Sequence, residues 1–266
     1  MNMLRSTSRI NGTNIFYEMV GDGYPLILIH SEFTDHRIWD FQIKEFAKHF
    51  QVVRYDLRGF GKSDSPVEPI SFHEDLFELM NFLNIQKAYL LGVSLGAEIA
   101  IDFTIKYPEM VEALVLSGPS LSGYKEELHS EESIKNYEAA QSIIKKDERY
   151  EESLDYLLNS SIWKQESKFI HSYLKDIFKE ASLEWMLNNY INTLEPPAVY
   201  RLSEIKLPTL IIKGERDSKH NLDVAKILEL NINNLRVEII DGTGKLANLD
   251  KYIIFNQLVL DFLLKL

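Results

Sequence analysis

The sequence contains no cysteine, and this absence excludes disulfide bonds, thiolate nucleophiles and zinc sites with cysteine ligands. No run approaches the ~18 apolar residues of a membrane-spanning helix, so no membrane partner is expected. Residues 1–10 contain two arginines and no apolar stretch typical of a secretion signal. Together these absences favour a cytoplasmic location.

Positive charge is also scarce. The 266 residues include 29 Lys and Arg against 40 Asp and Glu, a net charge of −11. Such a surface repels phosphate backbones, which argues against nucleic acid as a partner. The spacing of His, Asp and Glu does not resemble a metal site, and nothing indicates a cofactor. We therefore expect a small-molecule substrate or ligand, and the sequence does not indicate an oligomeric state.

A long central segment lacks the residues that break helices. Glycine is missing from Tyr124 to Lys213 and proline from Ser120 to Glu195, although both are present on either side. A stretch of this kind, rich in Glu, Lys, Leu and Ile, predicts several helices. We interpret residues 121–200 as a helical lid, in which Trp163 and Trp185 serve mainly in packing.

The two flanking regions, residues 1–120 and 201–266, alternate apolar strands with helices. This order predicts an α/β fold with a mostly parallel, doubly wound sheet. Asn11-Gly12 predicts a type I′ hairpin turn because both positions tolerate positive φ. A helix is expected over residues 36–49, and Ser71 with Glu74 predicts a capping box at the start of another.

The strongest functional signal is Gly92-Val93-Ser94-Leu95-Gly96, which follows an apolar strand and opens a helix. In a nucleophile elbow of this type, small residues stand two before and two after the serine, where strand and helix backbones nearly touch. The turn also places Ser94 at a helix N-terminus, where free N–H groups favour a developing oxyanion.

Several ordered motifs resemble the α/β-hydrolase family. They are His30 with Trp39 nine residues later, Asp56-x-Arg58-Gly59-x-Gly61-x-Ser63, the Gly92 to Gly96 motif, Tyr107-Pro108-Glu109-Met110-Val111, and Gly214-Glu215-Arg216-Asp217. The resemblance covers roughly the first 120 and the last 60 residues. It implies an α/β-hydrolase core formed by residues 1–120 and 201–266.

The resemblance also implies roles for single residues. Ser94 would be the nucleophile, and Asp217 the acid that orients the base. The backbone N–H groups of Leu95 and Glu32 would form the oxyanion hole, with His30 shaping the loop that carries Glu32. A serine at this position argues against dehalogenase and epoxide-hydrolase chemistry, which use a carboxylate. Esters, lactones, thioesters and activated carbon–carbon bonds remain as substrates.

The sequence departs from the family pattern at two positions. Ser31 stands where the family usually has glycine, and Lys245 stands where it has the catalytic histidine, after Asp241-Gly242-Thr243-Gly244. The simplest expectation is a Lys245–Asp217 salt bridge that leaves Ser94 without a base. The alternatives are a neutral Lys245 acting as the base, or rescue by His220.

These observations predict a serine hydrolase of the esterase or lactonase type, acting on a small acyl substrate with impaired or atypical base chemistry. Two other functions remain open on the same scaffold. One is a catalytically degenerate protein that binds a small ligand. The other is a cofactor-free oxygenase or lyase, because the fold alone does not decide the reaction.

Overall fold

An eight-stranded sheet runs through the residues that the computed structural model describes, 2–124, 131–181, 183–188 and 190–266. The strands are β1 (Leu4–Ile10), β2 (Thr13–Val20), β3 (Tyr24–Ile29), β4 (Phe50–Tyr55), β5 (Ala88–Val93), β6 (Val111–Ser117), β7 (Thr209–Gly214) and β8 (Leu235–Ile240). Their spatial order is β1-β2-β4-β3-β5-β6-β7-β8. β1 and β2 are antiparallel to their neighbours, and β4, β3 and β5 to β8 are parallel to one another. The predicted mostly parallel α/β sheet is therefore confirmed.

Helices lie between the strands and follow the last one. The α-helices are α1 (Ile43–Phe46), α2 (Phe72–Phe82), α3 (Leu95–Lys106), α4 (Glu131–Lys145), α5 (Tyr150–Asn159), α6 (Lys168–Glu180), α7 (Lys219–Asn231), α8 (Ala247–Asp250) and α9 (Tyr252–Leu263). The helices α4, α5 and α6 fall between β6 and β7, where helices are predicted. Residues 125–130, 182 and 189 of that segment lie outside the described residues. The assignment of residues 121–200 as a lid stays a prediction.

The hairpin between β1 and β2 turns at the predicted dipeptide. Asn11 and Gly12 have φ values of 48° and 75°, and Ile10 pairs with Thr13 across the turn. Positive φ at both central positions is the requirement of a type I′ turn.

The helix predicted over residues 36–49 is broken in the structure. A 3-10 turn spans His36–Trp39 and α1 only Ile43–Phe46. The backbone N–H groups of Ile38, Asp40 and Gln42 donate to carbonyls three residues earlier, which is the pattern of 3-10 turns and not of an α-helix. The backbone N–H of His36 donates to Asp56 Oδ1 at 2.7 Å at the start of the first turn.

The predicted capping box at the start of α2 is wrong. Ser71 precedes the helix, but its side chain caps no backbone N–H. The Glu74 carboxylate points away and accepts hydrogen bonds from Lys106 and from the Tyr107 hydroxyl, the latter at 2.8 Å. The Glu74 side chain is therefore bound to Lys106 and Tyr107, which are distant in sequence, and does not complete the capping box with Ser71.

Two glycines set the geometry around Ser94. A Cβ on Gly92 would lie 2.2 Å from the Gly96 carbonyl oxygen, and a Cβ on Gly96 would lie 2.2 Å from the Ile29 carbonyl oxygen. The backbones at the end of β5, the start of α3 and the end of β3 are therefore in direct contact, and no side chain fits between them.

This close approach yields a first prediction. Gly96→Ala should lower the free energy of unfolding by about 3 kcal/mol or more, because the new methyl group meets rigid backbone. Urea denaturation followed by circular dichroism measures the change. Gly244→Ala is the matched control, since its Cβ would lie 3.7 Å from the nearest atom, the Arg216 carbonyl oxygen. Equal stability of the two variants would contradict the argument.

Candidate active site

Ser94 occupies the turn between β5 and α3 in a conformation that residues other than glycine rarely adopt. Its φ is 52° and its ψ is −111°, and only 2% of the residue is exposed. Its N–H donates to the Ser117 carbonyl at 3.0 Å, and its own carbonyl accepts from Ala97 and Glu98 in the first turn of α3. The surrounding backbone therefore maintains the strained conformation.

The Ser94 hydroxyl has one hydrogen-bond partner among the described residues. Its Oγ lies 3.3 Å from the Oγ of Ser120, in the loop after β6. No hydrogen bond joins this hydroxyl to Lys245 or to Asp217 in the described chain. The nucleophile-like serine and the two groups predicted to support it are thus not directly linked.

Lys245 pairs with a different carboxylate from the one expected. Its Nζ lies 2.6 Å from Oε1 of Glu32, and the residue is 2% exposed. The same Nζ lies 3.4 Å from the centroid of the Trp163 ring, a cation–π contact. The predicted Lys245–Asp217 salt bridge is therefore wrong, because Glu32 projects its side chain to the ammonium from the loop after β3.

The Glu32–Lys245 contact is an ion pair. Burial acts to raise the pKa of Glu32, but the charge and hydrogen bond of Lys245 outweigh it and bring that pKa to about 2. The Ser31 hydroxyl, which donates to Oε2 at 2.6 Å, and the backbone N–H of Glu32 itself act in the same direction. Burial lowers the pKa of Lys245, and the two carboxylates nearby oppose that shift. The low pKa of Glu32 depends on an ammonium beside it.

Asp217 lies just after β7 and is left with an unsatisfied oxygen. Its Oδ2 accepts from the Gly214 N–H at 2.9 Å, whereas its buried Oδ1 has no hydrogen-bond partner in the described chain. Burial raises its pKa to about 7, although the charges of Lys245 and Lys213 act to lower it. This carboxyl group is therefore in a desolvated position where its ionised form is unfavourable.

The raised pKa of Asp217 predicts a pH-dependent effect on stability. The pKa of this carboxyl group is 3.8 in its ordinary state and about 7 in the folded protein. The free energy of unfolding therefore decreases as the pH rises from about 4 to about 7. Asp217→Asn keeps the acceptor for Gly214 and has no charge to bury. The free energy of unfolding of Asp217→Asn minus that of the wild type should therefore be about 2 to 4 kcal/mol larger at pH 8 than at pH 4. A gain independent of pH, measured by urea denaturation, would refute the raised pKa.

The two residues predicted to form the oxyanion hole follow neighbouring strands. Leu95 is the first residue of α3, directly after β5, and Glu32 follows β3, with Ile29 paired to Gly92 between these strands. The structure thus brings them to the same edge of the sheet. The Glu32 carboxylate also lies at this edge, where it pairs with Lys245.

The histidines nearest these loops have structural contacts. His30 is fully buried, its Nδ1–H donates to the Ser31 carbonyl at 2.8 Å, and its Nε2 accepts from the Leu57 N–H at 2.9 Å. Because Nε2 accepts a hydrogen bond, the ring is neutral, and burial, which lowers its pKa, acts in the same direction. His220 lies in the first turn of α7 with its ring centroid 5.2 Å from that of Tyr124. Its role as an alternative base stays a prediction.

Motif reasoning also missed Glu98. This residue is one helical turn after Ser94 on α3, and burial, followed by the nearby Asp102 and Glu32 carboxylates, raises its pKa to about 8. The spacing of four residues was the signal that could have found it. A further carboxyl group with a raised pKa therefore lies near Glu32, on the helix that begins after Ser94.

One aromatic ring from the helical segment, that of Trp163, lies over the Lys245 ammonium and packs against other rings. Trp163 meets Phe178 edge-on with centroids 4.9 Å apart, and Phe178 stacks on Phe33 at 5.6 Å. Trp185 donates from Nε1 to the Gly59 carbonyl at 2.8 Å. Packing, the predicted role of both tryptophans, is observed, and Trp163 has the further function of covering the Lys245 ammonium.

One buried cluster outside the Ser94 region has metal-ligand residue types. Ligand atoms of Asp35, His36 and Asp56 lie within 4.8 Å of one another. The His36 Nδ1 already donates to Asp56 at 2.7 Å, and Asp35 accepts from both the backbone and the guanidinium of Arg37. We interpret the cluster as a hydrogen-bonded loop clasp.

The sheet order and the turn carrying Ser94 define an α/β hydrolase, and sequence comparison supports this. The family model for the alpha/beta hydrolase fold matches residues 24–150. The 2-hydroxy-6-oxononadienedioate/2-hydroxy-6-oxononatrienedioate hydrolase of Escherichia coli (strain K12) is 31% identical over 230 residues, covering 80% of this chain and 76% of that protein. The chain belongs to the α/β-hydrolase family.

Solved structures share the whole fold. The enol-lactonase from Burkholderia xenovorans LB400 has a TM-score of 0.81 at 23% identity, covering 97% of this chain and 99% of that one. The bromoperoxidase from Bacillus anthracis has a TM-score of 0.83 at 27% identity, covering 98% of this chain and 99% of that one.

Among the described residues, no helix has the length and apolar character needed to cross a membrane.

Proposed function

We propose that this chain is a hydrolase of small esters, lactones or related acyl compounds, with Ser94 as the nucleophile and an atypical base. The observation that carries the proposal is the backbone of Ser94, held at φ 52° between Gly92 and Gly96 at the start of α3. This geometry presents a hydroxyl group beside the N–H of the helix N-terminus, which suits attack on a carbonyl carbon. The enol-lactonase and the 2-hydroxy-6-oxononadienedioate/2-hydroxy-6-oxononatrienedioate hydrolase among the similar proteins support a hydrolase.

In the proposed reaction, Ser94 Oγ attacks the carbonyl carbon and the carbonyl oxygen becomes an oxyanion, whose charge the N–H groups of Leu95 and Glu32 would stabilise. The carbon–oxygen bond to the alcohol then breaks, the alcohol leaves with the proton taken from Ser94, and water hydrolyses the acyl-Ser94 ester. The proton of Ser94 needs an acceptor, and a charged Lys245 is not one. We therefore expect slow acylation at neutral pH that accelerates on the alkaline side, where Lys245 loses its proton.

A fluorophosphonate probe tests the nucleophile directly. Wild-type Ser94 should be labelled slowly at pH 7 and at least ~10-fold faster at pH 9.5, because deprotonation of the buried Lys245 supplies a base. Intact-mass spectrometry gives the rates, and Ser94→Ala is the control that should not react. A flat profile between pH 6 and pH 10 would count against Lys245 as the base.

The Glu32–Lys245 pair favours a second candidate function. Because the ammonium is held by Glu32 and Trp163, Lys245 does not accept the Ser94 proton in this state, and Ser120 is the hydrogen-bond partner of that hydroxyl among the described residues. A protein with that arrangement suits binding of a small ligand at the same site without turnover. Absence of Ser94 labelling at every pH would reject the hydrolase and favour this alternative.

The charge coupling between Glu32 and Lys245 predicts how activity can be increased. Lys245→His alone leaves the Glu32 carboxylate without its cation, next to the position of the oxyanion, where it opposes the developing negative charge. It also favours a protonated imidazole, which is not a base. Lys245→His alone should therefore gain little.

The double variant Lys245→His with Glu32→Gln removes both obstacles. Its p-nitrophenyl ester turnover should exceed that of the wild type by at least ~10²-fold, the usual contribution of a positioned acid–base group. Glu32→Gln alone is the matched control and should not raise turnover. A full gain from Lys245→His alone would show that Glu32 does not restrain the site.

A further inference from the structure

The loop after β6, residues 118–120, contacts both central residues of the candidate site. Ser120 Oγ lies 3.3 Å from Ser94 Oγ, and the Ser120 N–H donates to the Ser94 carbonyl at 3.3 Å. At Gly118, which has φ 45°, an added Cβ would lie 3.1 Å from Cγ of Lys245. The loop therefore packs against Ser94 on one side and Lys245 on the other.

Buried hydrogen bonds fasten this loop to the core. The Asn221 side chain, on α7 and 3% exposed, donates from Nδ2 to the carbonyls of Gly118 and Pro119 at 2.8 and 3.1 Å. The Ser218 hydroxyl donates to Asn221 Oδ1 at 2.6 Å and so fixes the orientation of the amide. Gly118 N–H also donates to the Ile212 carbonyl of β7 at 3.1 Å. A loop held at each of these points keeps its next side chain, Ser120, at a defined place.

We propose that Ser120 is a positioning residue for Ser94, which selects the rotamer of the reactive hydroxyl; this inference rests on the proposed function. A serine side chain has three staggered rotamers, and a hydrogen-bond partner stabilises the one that points towards it. The hydrogen bond to Ser120 is the only one that the Ser94 hydroxyl makes in the described chain. Ser120 thus supplies the orientation that a catalytic histidine would otherwise provide.

The test compares Ser120→Ala with Ser120→Thr in labelling by a fluorophosphonate. Ser120→Ala should lower the maximal inactivation rate by about 3- to 10-fold, the range equivalent to one neutral hydrogen bond, with an unchanged half-saturation concentration of the probe. Ser120→Thr keeps the hydroxyl and should restore at least half of the rate. An unchanged rate in Ser120→Ala, or a loss in Ser120→Thr as large as in Ser120→Ala, would overturn the proposal.

Ser117→Ala is the matched control. It removes another buried hydroxyl, at the end of β6, that has no hydrogen-bond partner among the described residues, and it keeps the carbonyl that accepts from Ser94. Its labelling rate should equal that of the wild type.

A crystallographic measurement separates this inference from the proposed function. At high resolution the wild type should show Ser94 Oγ in one rotamer, and Ser120→Ala should show it shifted or divided between two. The same single rotamer in both would refute the positioning role, whether or not Ser94 reacts. Failure of Ser94 to react with the probe would reject the hydrolase alone.

Discussion

The arrangement of the candidate site depends on one buried ion pair, Glu32–Lys245, which joins residues 213 positions apart in the chain. Its carboxylate belongs to the loop after β3 and its ammonium to the loop after β8, while Trp163 of the helical segment covers the cation. Removing either partner leaves an uncompensated buried charge, which typically costs several kcal/mol. The three segments around Ser94 are therefore mutually dependent.

The same pair governs the electrostatics of its surroundings. The charge of Lys245 acts on two carboxyl groups, Glu32 and Asp217, and only Glu32 makes a hydrogen bond with it. Burial raises the pKa of Asp217 to about 7, whereas the charge and hydrogen bond of Lys245 bring that of Glu32 to about 2. Direct contact with the ammonium thus separates the two carboxyl groups by several pH units.

Sequence patterns predicted what local rules determine and missed what distant contacts determine. The parallel sheet, the turn at Asn11-Gly12 and the placement of Ser94 follow from apolar periodicity and glycine spacing. The partner of Lys245 did not follow, because the motif of the family points to Asp217 and no local signal reveals that the Glu32 side chain enters the site.

The positive φ of Ser94 has a consequence for the range of chemistry that the scaffold can support. Gly92 and Gly96 leave no room for another backbone path, so the main chain at residue 94 is determined by its neighbours and not by its own side chain. Any L-residue placed there would be directed to the same space. The backbone therefore determines the position of the reactive group, and the side chain at residue 94 determines its chemistry. Reactivity can therefore change by single substitutions while the fold is left intact.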